Sequence, residues 1–134
     1  MNDTRLSLIS YFKNRMLNVH LRNLHDTNVK IHQNMAIFAY DRISLEIQLS
    51  GLYEKELLDG LTQTVFKKID LDNSICLDLG ANIGNHTLFF TKYFKSIYSF
   101  EPHPDIFDLL KFNTKNASNI NIFNFGASDI DETA

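Results

Sequence analysis

The residues best suited to chemistry lie between Asp78 and Glu101. Asp78 is followed at alternate positions by Gly80, Asn82 and Gly84, and Glu101 stands 23 residues beyond Asp78. Glycine lets backbone come close to a ligand that a Cβ would push away. Asn82 tolerates a left-handed conformation better than most residues. A helix starting near Gly84 would offer N–H groups and the positive end of its dipole to a negative group. An acid placed like Glu101 can accept hydrogen bonds from both hydroxyls of an adenosine ribose. Nucleoside binding is the chemistry these types and spacings suggest.

The elements that must position them can be read on either side. Ile75 to Leu79 is a short apolar run interrupted by Asp78, which suits a strand buried in a parallel sheet. Asn85 to Phe94 can form a helix, and Ile97 to Phe100 a second strand ending in Glu101. Strand, glycine turn, helix, strand and acid make the outline of a nucleotide-binding βαβ unit. The dinucleotide signature G-x-G-x-x-G is not met, because the loop reads Asp78-x-Gly80-x-Asn82-x-Gly84. An NAD-dependent oxidoreductase domain is therefore the weaker reading of this loop.

That loop resembles motif I of class I S-adenosylmethionine-dependent methyltransferases. The string Leu77-Asp78-Leu79-Gly80-Ala81-Asn82-Ile83-Gly84-Asn85-His86-Thr87, followed by Phe100-Glu101-Pro102-His103-Pro104, resembles the FkbM family of methyltransferases. Gly51-Leu52-Tyr53-Glu54, the run Leu110 to Asn113 with Asn116, and Asn124-Phe125-Gly126-Ala127-Ser128-Asp129 add to the likeness, which runs from about Ile37 to the last residue. It implies S-adenosyl-L-methionine as cofactor. Gly80, Ala81, Asn82 and Gly84 would give backbone contact to its methionine moiety. Asp78 would orient the loop or meet the amino group, and Glu101 would bind the ribose diol. Phe100 or Pro102 would flank the adenine, and Ala127 to Asp129 would reach its edge. Tyr53 and Glu54 would sit near the methionine half, although an ordinary helix-start acid explains Glu54 equally well.

The resemblance also implies a Rossmann-like class I fold carrying only its first three strands, in the parallel order 3-2-1. Strand 1, central in the full fold, would then have a bare edge that invites pairing. The chain would divide into an N-terminal extension of helix and short strands over residues 1–50 and a cofactor-binding half over 51–134. The acceptor would be a hydroxyl of a small molecule or sugar, and no general base can be named. A catalytically silent module that pairs through the open edge, or meets a missing C-terminal half there, is the competing reading.

Composition narrows the classes. With 134 residues, 44% hydrophobic and 22% charged, the chain can bury the core of one soluble domain. A net charge of −3 argues against generic affinity for nucleic acid or anionic membrane. No apolar run reaches about 18 residues, so no span is expected. The first residues lack a signal-peptide core, so a cytoplasmic site is expected. The lone Cys76 cannot form an internal disulfide and reads as a small buried hydrophobe. The five histidines show no metal-ligand spacing, and His86 and His103 read as packing or solvent-facing residues.

The remaining elements follow from periodicity. Residues 4–24 suit a helix, with Leu6, Ile9, Phe12, Met16, His20 and Leu24 near one stripe, widened by Leu17 and Leu21. Its four cations, Arg5, Lys13, Arg15 and Arg22, leave open a membrane-surface helix beside one packed on the domain or a second subunit. Val29 and Ile31 alternate with polar residues, and Met35 to Tyr40 suits a strand. Residues 43–49 alternate like a strand, whereas the resemblance allows a short helix there. Glu54 to Ile69 suits a helix with Leu57, Leu58, Leu61, Val65 and Ile69 on one face. Pro104 suits the first turn of a helix reaching Lys115, on which Asn113 is expected to brace a loop. Ile120 to Phe125 suits the third strand.

Overall fold

A computed structural model describes residues 3–28 and 35–128. Five α-helices and three strands are present among them: α1 (Asp3–Asn28), α2 (Arg42–Ser50), α3 (Lys55–Thr64), β1 (Ile75–Leu79), α4 (Asn85–Phe90), β2 (Ser96–Phe100), α5 (Pro104–Thr114) and β3 (Ile120–Phe123). The strands form one parallel sheet with β2 in the middle, the expected order 3-2-1. Leu77 pairs with Tyr98 and Leu79 with Phe100, while Ile97 pairs with Ile120 and Phe100 with Phe123. The chain is α/β, and its site elements are those of a Rossmann-like βαβ unit.

Register divides the sheet into two unlike faces. Cys76, Asp78, Ile97, Ser99, Ile120 and Ile122 share one face, because paired residues point the same way. Helix α4 lies on it: Thr87 donates to Asp78 and shares a hydrogen bond with Ser99, and Thr87, Ser99 and Ile97 are fully buried. The other face carries Ile75, Leu77, Leu79, Tyr98, Phe100 and Phe123. Ile75, Leu77 and Leu79 are 60%, 65% and 59% exposed, so β1 is not the doubly buried strand its apolar run implies. Phe100 and Phe123 stack at 5.0 Å, with Phe125 against both. Cys76 is half-buried, not enclosed.

Local chemistry settles the ambiguous segments. Residues 43–49 are helical despite their perfect alternation. Asp41 caps α2 by accepting from the Ser44 backbone N–H (3.0 Å) and hydroxyl (3.1 Å), and Gly51 closes it in a left-handed conformation. Ser44 and Ile47 turn inward while Leu45 and Leu49 stay exposed. Met35 to Tyr40 is not a strand; it is irregular and ends in a turn. Val29 and Ile31 lie outside the described residues.

The helix expected to Ile69 ends at Thr64 and tightens into a 3₁₀ turn over Phe66–Lys68. This rotates Phe66 into the core beside Phe90, Tyr93 and Phe94, and leaves Val65 and Ile69 outside. Leu52, Leu58 and Phe89 form the centre of that core. Helix α4 stops at Phe90, four residues early, and β3 stops at Phe123. On α1, Leu21 and Leu24 are partly covered, whereas Ile9, Phe12 and Met16 of the expected stripe are exposed.

Candidate functional site

The glycine loop sits where β1 and β2 end side by side. Gly80, Asn82 and Gly84 have φ values of 78°, 50° and 93°, so three left-handed residues within five positions fold the chain back on itself. The consequence is that the loop's N–H groups turn inward. Gly80 and Ala81 both donate to the Phe100 carbonyl at 2.9 Å, and Gly84 donates to the Ala81 carbonyl at 2.9 Å. Asn82 N–H donates to Glu101 Oε2 at 3.0 Å, and Ile83 N–H to Asn82 Oδ1 at 2.8 Å. Every backbone N–H from Gly80 to Gly84 is engaged within the protein. Helix α4 has only six residues, so the dipole contribution expected at its start is small.

Asp78 lies on β1, and Glu101 directly follows the last residue of β2. Asp78, half-buried, accepts from the Thr87 hydroxyl at 2.5 Å, which in turn meets Ser99 Oγ at 3.0 Å. That hydroxyl chain holds the carboxylate against the back of the loop. Glu101 is 6% exposed; besides Asn82 it accepts from the His103 N–H at 2.9 Å. Its carboxylate thus ties the loop to the end of β2. A carboxylate has about four lone-pair positions, so two acceptor positions stay open for a ligand hydroxyl.

The two outer glycines have different duties. A Cβ on Gly80 would meet nothing within 4 Å, so open space lies over that residue. A Cβ on Gly84 would come to 2.9 Å from Leu110 Cδ1 and 3.3 Å from Thr114 Cγ2, so Gly84 lets α4 close on α5. Ala81 is buried, Pro102 and Ala127 are exposed, and Gly126 packs over Pro102. Asp129 lies outside the described residues.

The upstream segment reaches the loop through Asn85. Its side chain accepts from Tyr53 N–H at 3.1 Å and donates to Tyr53 O at 3.2 Å. Glu54, itself left-handed at φ 54°, brings Oε2 to 3.4 Å from His86 Nε2. That nitrogen is buried without a well-aligned hydrogen bond, and the imidazole packs between Tyr53 and Phe90. Glu54 is therefore grouped with the glycine loop through α4, as is Tyr53.

Asparagines do the bracing. Asn113 donates to the Ile83 carbonyl (2.8 Å) and exchanges two hydrogen bonds with Ala36, fulfilling its expected structural part. Asn124 donates to the carbonyls of Glu101 and Pro102, and Asn119 to those of Thr91 and Phe94. No sequence pattern marked Asn119, Asn124, Thr87 or Ser99 for these parts. Their signal is only a frequent residue type that can both donate and accept. Burial raises the Cys76 thiol to about 11, with the Asp78 charge adding to the effect.

Among the described residues no group of three or more His, Cys, Asp or Glu could hold a metal, and no helix is long and apolar enough to cross a membrane. No protein-family model and no curated protein matches the chain. A solved structure of phosphoethanolamine N-methyltransferase 1 from Haemonchus contortus, in complex with phosphoethanolamine and S-adenosylhomocysteine, is similar at a TM-score of 0.48 and 17% identity. The match covers 79% of this chain and 21% of that one, so this chain spans about a fifth of that protein. A likeness of that size carries no conclusion about this chain.

Proposed function

We propose that this chain forms the cofactor half-site of an S-adenosyl-L-methionine-dependent methyltransferase of FkbM type. One observation carries the reading: a tight glycine turn with its N–H groups all directed inward, bordered by two carboxylates. A pyrophosphate needs donated N–H groups, and this loop has none to give between Gly80 and Gly84. Asp78 and Glu101 favour instead a ligand with a cationic end and hydroxyls. S-adenosyl-L-methionine has an ammonium, a sulfonium and a ribose diol, and no phosphate.

The residues fit that group. Asp78 and the loop carbonyls would receive the ammonium, the open space over Gly80 would admit the methionine chain, and Glu101 would take the ribose diol. Glu54 would add negative charge near the methionine half, and Pro102 and Ala127 would border the adenine. The cofactor supplies a methyl group activated by its bond to positive sulfur. What the chain's residues contribute is binding and orientation, the part that lets an acceptor hydroxyl be held in line. The acceptor, a small molecule or sugar, and its general base would come from polypeptide beyond this half-site.

Among the described residues the outer edge of β1 has no partner strand, and this edge and the exposed face of Ile75, Leu77 and Leu79 favour a second element of the reading. A parallel sheet is normally covered on both faces, so further polypeptide pairing with β1 and roofing that face would complete the domain. The same feature serves a silent assembly module.

Calorimetric titration tests the cofactor reading, with S-adenosyl-L-methionine and NAD compared on the folded chain. Binding of S-adenosyl-L-methionine alone, weakened in Asp78→Asn, is expected; that variant keeps an acceptor for Thr87 and removes only the charge. Binding of NAD, or of neither ligand by a chain with native circular dichroism, would overturn it.

A further inference from the structure

Helix α1 carries a second apolar stripe that the fold does not use. At 3.6 residues per turn, Leu8, Ile9, Phe12, Met16 and Val19 fall within an arc of about 100°. They are 56%, 53%, 60%, 74% and 52% exposed. The covered residues Leu21 and Leu24 lie on a different side of the helix, so among the described residues packing leaves this arc largely exposed.

Basic side chains border the arc on both sides. Arg15 and Arg22 lie along one margin, and Lys13 and His20 along the other. None of Lys13, Arg15 and Arg22 is in an ion pair among the described residues. The helix holds four Lys or Arg against two Asp, a net of +2, which leaves −5 on the rest of a chain whose total is −3. The whole-chain charge thus conceals a basic, apolar helix. Long basic side chains beside an apolar stripe can lay their stems on it and raise their charges to an anionic layer.

Charge also decides against self-pairing. If Ile9, Phe12, Met16 and Val19 formed a coiled-coil seam, Lys13, His20, Arg15 and Arg22 would flank it. An antiparallel pair would then set lysine and arginine against their like, and in either orientation no acid flanks the seam to offset them. An anionic surface meets both margins at once.

We propose that α1 is an interfacial helix that seats this protein on an anionic lipid surface through Leu8, Ile9, Phe12, Met16 and Val19. The surface chemistry of α1 is independent of the cofactor half-site, so the two readings stand or fall separately.

Vesicle flotation of the full 134-residue chain tests it. Phosphatidylcholine vesicles are compared with vesicles that also contain phosphatidylserine. Three fixed cations near the surface should raise partitioning roughly 100-fold on the anionic vesicles, and salt should reverse the gain. Phe12→Ser and Met16→Ser, both at exposed positions, should each lower binding by about tenfold without disturbing the fold. Leu77→Ser, on the bare sheet face, should leave binding unchanged. Equal binding to neutral vesicles, no binding, or binding lost in Leu77→Ser and kept in Phe12→Ser would overturn the proposal. So would a dimer in vesicle-free sedimentation that Phe12→Ser dissolves.

Discussion

Removing the Glu101 carboxylate should loosen the glycine loop before any ligand is considered. Both oxygens accept backbone N–H groups, Asn82 at 3.0 Å and His103 at 2.9 Å, and the residue is 6% exposed. Hydrogen bonds to a charged group contribute about 1.5–3 kcal/mol each. Two such bonds, less the desolvation that the carboxylate no longer suffers, give a loss of about 2–4 kcal/mol for Glu101→Ala. A domain of this size is stable by only about 5–15 kcal/mol, so the loss should be plain in urea unfolding followed by circular dichroism. Glu101→Gln keeps the shape and one acceptor but turns an NH2 toward the second N–H, and should lose about half as much. Native-state hydrogen exchange gives a site-specific readout: the Asn82 and His103 amides should exchange much faster in either variant, with no ligand present. A Glu101→Ala protein within about 0.5 kcal/mol of the parent, with both amides still protected, would refute the clamp. Ligand affinity lost in that variant would then have to come from direct contact alone.

Other substitutions separate the duties of neighbouring residues. Gly84→Ala should lose about 2–4 kcal/mol in urea unfolding, because a Cβ there is strained at φ 93° and stands 2.9 Å from Leu110. Gly80→Ala meets no atom within 4 Å, so it should lose only about 1–2 kcal/mol yet impair S-adenosyl-L-methionine binding in calorimetry. Asn113→Ala removes bonds to Ile83 and to both backbone groups of Ala36, and should cost about 2–4 kcal/mol with faster exchange of the Ala36 amide. The Cys76 thiol, raised to about 11 from 9.0, should alkylate slowly at pH 8 and faster as pH rises toward 11; Asp78→Asn should move that rise to lower pH. Its contribution to stability is whole below about pH 9, where the thiol is neutral folded or unfolded. It declines as pH climbs to about 11, because only the unfolded thiol ionises readily in that window. Cys76→Ser should flatten that part of the unfolding profile.

Much of the fold was legible because its signals are local. Short apolar runs, a glycine turn and Pro104 at a helix start mark β1, β2, β3 and α5 to within a residue or two. The order of the strands followed from the resemblance and holds in the sheet. Residues 43–49 show where pattern alone failed. Alternation favoured a strand, but a side-chain cap from Asp41 and a left-handed Gly51 fixed a helix. Phe66 shows the same from the other side, since a change of helical pitch decided which apolar residue entered the core.

The sequence by itself determined the residue types of the candidate site: Asp78, the three turn residues and Glu101, at spacings set by one strand and one helix. Only tertiary structure decided what those residues face. Backbone pairing across β1 and β2 turned the loop's N–H groups inward, and α5 claimed the space beside Gly84. Asp78 met Thr87 because α4 lies on one face of the sheet, and the opposite face stayed bare because no described element packs on it. Spacing along a chain fixes which groups can approach one another. Which of them become partners depends on the direction in which each hydrogen-bonding group points, and that is set only when the elements pack.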